Sequence, residues 1–241
     1  MKGTIVTETI KDREVLIYLP KDYNLSDKSY PVIYIQDGDE IIKHKNEFFG
    51  ELEKDNINFI GALIPTKNRL NEYTPWYSKG LSEKTPDFLG EGDNYLNFLC
   101  NEVKLYIDNN YRTKKGKENT SIIGASLGGL ISVYAIYTKS DVFGNAVCAS
   151  GSFWYKDILK FLEESEISLK EKRIFMSIGE DEDHCKSKCY DHIHMLDNNI
   201  KAYEILKSKL SDNNIYIKID KSTTHCIKYF LPNLVLGIKW I

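Results

Sequence analysis

Six short runs rich in valine and isoleucine, at 32–35, 57–64, 121–123, 146–149, 174–178 and 215–219, constrain this chain more than any other feature. Most are nearly continuous in apolar residues, as strands buried on both faces of a parallel sheet are. Between and after them lie stretches with helical spacing, and helices are predicted over 94–109, 127–138, 158–164, 198–210 and 229–240. In the first of these, Tyr95, Phe98, Leu99, Val103, Tyr106 and Ile107 form an apolar stripe that Glu102 interrupts. Two earlier runs, 4–10 and 14–19, alternate apolar with polar residues and stop at Pro20, which predicts an antiparallel hairpin at a sheet edge. Strand and helix alternate. The expected class is therefore α/β, a mostly parallel central sheet with helices on both faces and antiparallel N-terminal edge strands.

No linker, internal repeat or low-complexity tract divides the 241 residues, so a single domain over 1–241 is expected. Residues 66–92 have neither helical nor strand period and hold two prolines, three glycines and several aromatics. A long irregular segment inside a compact domain is usually functional or mobile, so this one is expected near the active site. With 42% hydrophobic and 28% charged residues the chain is an ordinary globular protein rather than a disordered one. A net charge of -3 gives no footprint for nucleic acid or an anionic membrane and points to a small or neutral partner; homo-oligomerisation is left open. No apolar run approaches the roughly 20 residues that span a bilayer, and residues 1–10 lack the apolar core of a signal peptide. Five scattered cysteines, an odd number, make no disulfide framework, and a cytoplasmic protein is expected.

The segment Gly124-Ala125-Ser126-Leu127-Gly128-Gly129 contains a G-x-S-x-G pattern between a predicted strand and a predicted helix. That is the context of a nucleophile elbow, a strained turn in which side chains at 124 and 128 would collide. Ser126 is the candidate nucleophile, and the Leu127 amide at the helix N-terminus is the candidate oxyanion donor. A tightly packed turn without chemistry is the plainer alternative.

A serine hydroxyl needs a base and a group that orients the base. In an α/β-hydrolase the order along the chain is serine, acid, histidine, with the histidine in a loop before the last helix. Of five histidines, His225 meets this demand, since it follows the strand predicted at 215–219. The acid is expected in Gly179-Glu180-Asp181-Glu182-Asp183, just after the strand predicted at 174–178. Spacing favours Glu182, with Asp181 and Asp183 as alternatives. A second oxyanion donor is expected from Gln36-Asp37-Gly38-Asp39, where the Asp39 amide is the candidate and an ordinary Asp-Gly turn the alternative. Tyr73, Trp76, Phe153 and Trp154 sit in or beside loops expected at the catalytic end of the sheet and are candidate substrate-binding walls, with core packing the alternative for each.

Taken together, Tyr30-Pro31-Val32-Ile33-Tyr34 before Asp37-Gly38, Glu72-Tyr73-Thr74-Pro75-Trp76, Tyr111-Arg112, the serine motif, Val142-Phe143-Gly144, Ser150 to Trp154, Gly179 to Glu182 and His225 run in order along nearly the whole chain. This set resembles the "Putative esterase" family, which includes esterase D-like, enterochelin esterase-like and feruloyl esterase proteins. The resemblance implies an α/β-hydrolase with the triad Ser126, Glu182 and His225, an oxyanion hole from the Leu127 and Asp39 amides, a small-molecule ester substrate and no cofactor. Two departures stand out: no proline within 150–154, and Thr224 and Cys226 beside the histidine, where members often carry glycine or glutamate. The implied activity is ester hydrolysis through an acyl-enzyme; acyl transfer with the same triad and a silent hydrolase fold used for binding are the alternatives.

His184, Cys185, Cys189, His192 and His194 form a local cluster, and on a helix Cys185, Cys189 and His192 would share a face. The spacing matches no structural zinc template, so no metal site is expected.

Overall fold

Residues with a β-branched or aromatic side chain and no helical period must bury both faces, and here they do so as strands. The computed structural model describes residues 1–166, 169–184 and 194–241. The strands are β1 (Thr4–Ile10), β2 (Arg13–Leu19), β3 (Val32–Gln36), β4 (Ile60–Ile64), β5 (Thr120–Ala125), β6 (Asn145–Ala149), β7 (Arg173–Gly179) and β8 (Ile215–Asp220). Among the described residues these eight form one sheet in the order β1-β2-β4-β3-β5-β6-β7-β8. β1 and β2 pair antiparallel, as do β2 and β4, and every later pairing is parallel.

The helices are α1 (Gly38–Ile41), α2 (Lys45–Lys54), α3 (Arg69–Glu72), α4 (Gly92–Phe98), α5 (Leu105–Asn110), α6 (Leu127–Thr138), α7 (Ile158–Glu164), α8 (Met195–Lys209) and α9 (Ile227–Trp240). Alternate strand residues face opposite layers. Tyr34 and Ile122 join the core with Leu96, Leu130, Leu162 and Leu206 of α4, α6, α7 and α8. Ile35 and Ile123 join the core with Phe48, Leu52, Leu234 and Ile238 of α2 and α9. This is the α/β-hydrolase arrangement, with helices on both faces of the sheet.

β3 lies between β4 and β5, with Val32 beside both Ile60 and Thr120. The chain leaves β3 for β4 on one side and returns to β5 on the other. Such a reversal opens a crevice at the carboxyl ends of the strands, where α/β proteins place their ligands.

Several boundaries differ from the sequence reading for physical reasons. The run 57–64 yields a strand only from Ile60, because the Ile57 amide donates to the Leu52 carbonyl as α2 ends. The helix predicted over 94–109 is continuous but widens into a π turn at Leu99–Lys104, where Glu102 interrupts the apolar stripe. α2 was not legible: its buried stripe of Phe48, Phe49 and Leu52 is short, and Gly50 stands in its middle.

Residues 66–92, without period in the sequence, are tied down at several points. Arg13 Nη1 of β2 donates to Glu72 Oε2 of α3 at 3.1 Å and to the Pro65 carbonyl at 3.2 Å. The Asn71 side chain accepts the Leu89 amide, and Ser78 and Phe88 form a short antiparallel bridge. The Arg13 guanidinium also lies 4.8 Å from the Phe98 ring centroid. Removing one partner of a buried ion pair leaves a stranded charge. Glu72→Ala is therefore expected to lower stability by roughly 3–5 kcal/mol, measured by urea denaturation. The paired replacement Arg13→Met with Glu72→Leu is expected to lose less than Glu72→Ala alone.

Candidate active site

The carboxyl ends of β5, β7 and β8 converge on one crevice. Ser126 directly follows β5 with φ 56° and ψ -122°, a conformation that costs a non-glycine residue about 1–3 kcal/mol. Its neighbours make the turn feasible. A Cβ on Gly124 would stand 2.5 Å from the backbone of Gly128, and one on Gly128 would stand 3.1 Å from Asp37 Oδ2. The Ser126 amide donates to the Ala149 carbonyl at 2.9 Å, and its own carbonyl accepts the Ser152 amide at 3.1 Å. Leu127 then opens α6, whose first-turn amides have no intrahelical acceptor.

His225 stands between β8 and α9. Its Nε2 lies 2.9 Å from Ser126 Oγ, and its Nδ1 lies 2.8 Å from Glu182 Oε2. Phe230 of α9 packs edge-on against the imidazole, with ring centroids 4.8 Å apart. Glu182 is buried just beyond β7, and its other oxygen, Oε1, accepts the Gly179 amide at 2.9 Å and the Ser150 hydroxyl at 2.5 Å. The alternatives to Glu182 are turned elsewhere: the Asp183 carboxylate accepts the Met195 amide at the start of α8, and Asp181 is half-buried with its amide on the Thr223 carbonyl. Serine, imidazole and carboxylate thus form one unbroken hydrogen-bonded chain.

A cavity of about 310 Å³ opens over Ser126, Leu127 and His225. Leu70, Leu81, Phe88, Trp154 and Met195 supply apolar walls, and Arg69 supplies a guanidinium. Leu70, Leu81 and Phe88 come from 66–92 and Trp154 from 150–154, and of these four only Trp154 was a candidate wall in the sequence. Of the four candidate wall aromatics, Trp154 lines the cavity. Tyr73 and Phe153 are fully buried in the core instead. Trp76 packs among Tyr134, Tyr155 and Phe161, and its Nε1 donates to the Lys156 carbonyl at 2.9 Å.

Tyr73 nevertheless bears on the site. Its hydroxyl accepts the Asp37 amide at 2.8 Å, which fixes the loop after β3, where Asp37 takes φ 54°. Arg69 closes the same loop from outside: Nε and Nη2 hold the two Asp37 oxygens at 2.7 and 3.0 Å, and Nη2 reaches the Ala125 carbonyl at 3.2 Å. Sequence reading missed Arg69, because a lone cation in an irregular segment carries no pattern. Asp39 lines a neighbouring depression of about 320 Å³, together with Glu40, Ile227 and Phe230, rather than the cavity over Ser126.

Cys185, Cys189 and His192 lie outside the described residues, as does the side chain of His184, and His194 stands at the N-cap position of α8 without a side-chain capping bond. Among the described residues no three His, Cys, Asp or Glu side chains are grouped to hold a metal ion, and no helix is long and apolar enough to cross a membrane.

The Tyr73 contact is testable. Tyr73→Phe leaves the half-buried Asp37 amide without its acceptor, at a cost near the low end of the about 1–3 kcal/mol of an unmet buried donor. A loss of that size in urea denaturation is expected, with wild-type stability the outcome that would refute the contact.

Comparison with known proteins places the chain in a family and a fold. The model of the "Putative esterase" family matches residues 7–237, nearly the entire chain. Over 246 aligned residues the chain is 32% identical to YbbA of Bacillus subtilis, an uncharacterized protein, covering 100% of this chain and 97% of that one. An IroE-like serine hydrolase from Shewanella oneidensis superposes with a TM-score of 0.84 at 23% identity, over 98% of this chain and 79% of that one. The siderophore hydrolase EstA from Aspergillus nidulans does so with a TM-score of 0.79 at 21% identity, over 99% of this chain and 93% of that one. Sheet order, matched span and full-length relative lead to one conclusion: the chain belongs to the "Putative esterase" family of α/β-hydrolase-fold carboxylic ester hydrolases.

Proposed function

We propose that the chain is a serine esterase that cleaves a small-molecule carboxylic ester through an acyl-enzyme on Ser126. The observation that carries this reading is the contact of His225 with both partners, Ser126 at 2.9 Å and Glu182 at 2.8 Å. The imidazole takes the serine proton as Oγ attacks the ester carbonyl, and the buried Glu182 carboxylate stabilises the imidazolium and holds its tautomer. Negative charge on the carbonyl oxygen is met by the Leu127 amide at the start of α6, which lines the cavity beside Ser126. His225 then protonates the leaving alcohol. Water, deprotonated by the same imidazole, releases the acid and restores the serine.

The size and lining of the cavity support a compact, largely apolar ester group, because about 310 Å³ is at the small end of ligand pockets. The likeness to EstA, a siderophore hydrolase, makes siderophore esters part of the substrate panel beside aryl and short acyl esters. The reading takes the chain as one hydrolase domain, supported by the single sheet that β1 to β8 share. It places the protein in the cytoplasm, supported by the odd cysteine count and by the free thiols of Cys100, Cys148 and Cys226 among the described residues.

Ser126→Ala is expected to lower kcat on p-nitrophenyl esters by at least about a thousandfold, with an unchanged thermal midpoint, and to abolish labelling by a fluorophosphonate probe. Turnover at the wild-type rate in that variant would remove Ser126 from the reaction.

A further inference from the structure

We propose that Ser150 is a positioning residue for ester hydrolysis, acting through Glu182. The inference rests on the reading of Glu182 as the residue that orients His225. A buried carboxylate has lone pairs on two oxygens, and each donor it meets restricts how it can turn. In Glu182 the two oxygens have separate partners. Oε2 faces His225 Nδ1, whereas Oε1 accepts both the Ser150 hydroxyl at 2.5 Å and the Gly179 amide at 2.9 Å. With Oε1 held twice, rotation of the carboxylate away from the imidazole would break two hydrogen bonds to form none.

The backbone at Ser150 supports the same role. It follows β6 with φ 51°, a left-handed conformation that suits glycine better than serine. Its amide is fixed on the Ser177 carbonyl at 2.7 Å, and the residue is almost fully buried. The hydroxyl is therefore delivered to Glu182 from a rigid site, at the expense of local strain. Two residues later the same loop reaches the nucleophile: the Ser152 amide donates to the Ser126 carbonyl, and its Oγ lies 3.3 Å from Ser126 Oγ. One short loop thus touches both the acid and the serine, and Ser150 is its contact with the acid.

The test is a double-mutant cycle in kcat, with p-nitrophenyl butyrate as substrate and the thermal midpoint measured for every variant. Ser150→Gly removes the hydroxyl and keeps the left-handed backbone. It is expected to lower kcat by on the order of ten- to a hundredfold, with KM within about twofold of wild type and a thermal midpoint no lower. Ser150→Ala is expected to show the same kcat loss with a lower midpoint, because alanine keeps the strain without the hydrogen bond. In a Glu182→Ala background, Ser150→Gly is expected to change kcat by less than about twofold, since its route to the imidazole is gone. Wild-type kcat in Ser150→Gly, or an equal kcat loss in both backgrounds, would overturn the proposal while leaving the triad intact. Wild-type kcat in Glu182→Ala would instead overturn the triad reading, and this proposal with it.

Discussion

The close approach of Gly124 to Gly128 sets the geometry of everything around Ser126. Any side chain at position 124 would meet the backbone of Gly128, so the strand and the helix on either side of the serine can come this near only with glycine there. That approach forces the serine into its positive φ, lifts its hydroxyl clear of β5 and sets the first turn of α6 directly behind it. The strain is balanced by hydrogen bonds to the next strand and its loop, through Ala149 and Ser152. The placement of Ser126, the Leu127 amide and the end of β5 is in this sense one constraint.

The remaining parts of the site are fixed by different means. Glu182 is held by burial and directed donors, so its position depends on the ends of β6 and β7. His225 lies in a loop, restrained by the carboxylate on one side and the Phe230 ring on the other. The cavity walls come largely from residues 66–92, which the Arg13 and Glu72 pair fastens to the sheet. The wall is joined to the centre through Arg69, which lines the cavity and donates to the Ala125 carbonyl at the end of β5.

How much of this was legible in the sequence depends on which physical demand each residue meets. Doubly buried strands must be apolar throughout, so Val32 to Ile35 and Ile174 to Ile178 stood out, and the hairpin alternation marked the antiparallel edge. The elbow requires glycine at fixed offsets, so Ser126 was visible. Chain order singled out His225, and the structure brings it and Glu182 together with Ser126. The walls were not legible. Tyr73, Trp76, Phe153 and Trp154 are all large aromatics near the carboxyl ends of strands, and residue type does not distinguish a ring facing a cavity from one facing the core. Long-range packing decides it: only the last of the four lines the cavity, while Leu81, Phe88 and Met195 do so without having drawn attention. The hydroxyl of Ser150 was equally hidden, since a left-handed serine leaves no mark in sequence.

The burial of α6 has a consequence for how the backbone beside Ser126 can open. Every residue from Leu127 to Tyr137 is buried, so the helix that begins beside Ser126 has no solvent face from which to fray. Its amides can exchange with solvent hydrogen only when the layers around it separate, an opening close in free energy to unfolding of the whole sheet. Ser126 then adjoins a helix whose backbone is shielded along its whole buried length. The backbone around Ser126 and the packing of the layers about α6 are accordingly expected to be lost together on heating.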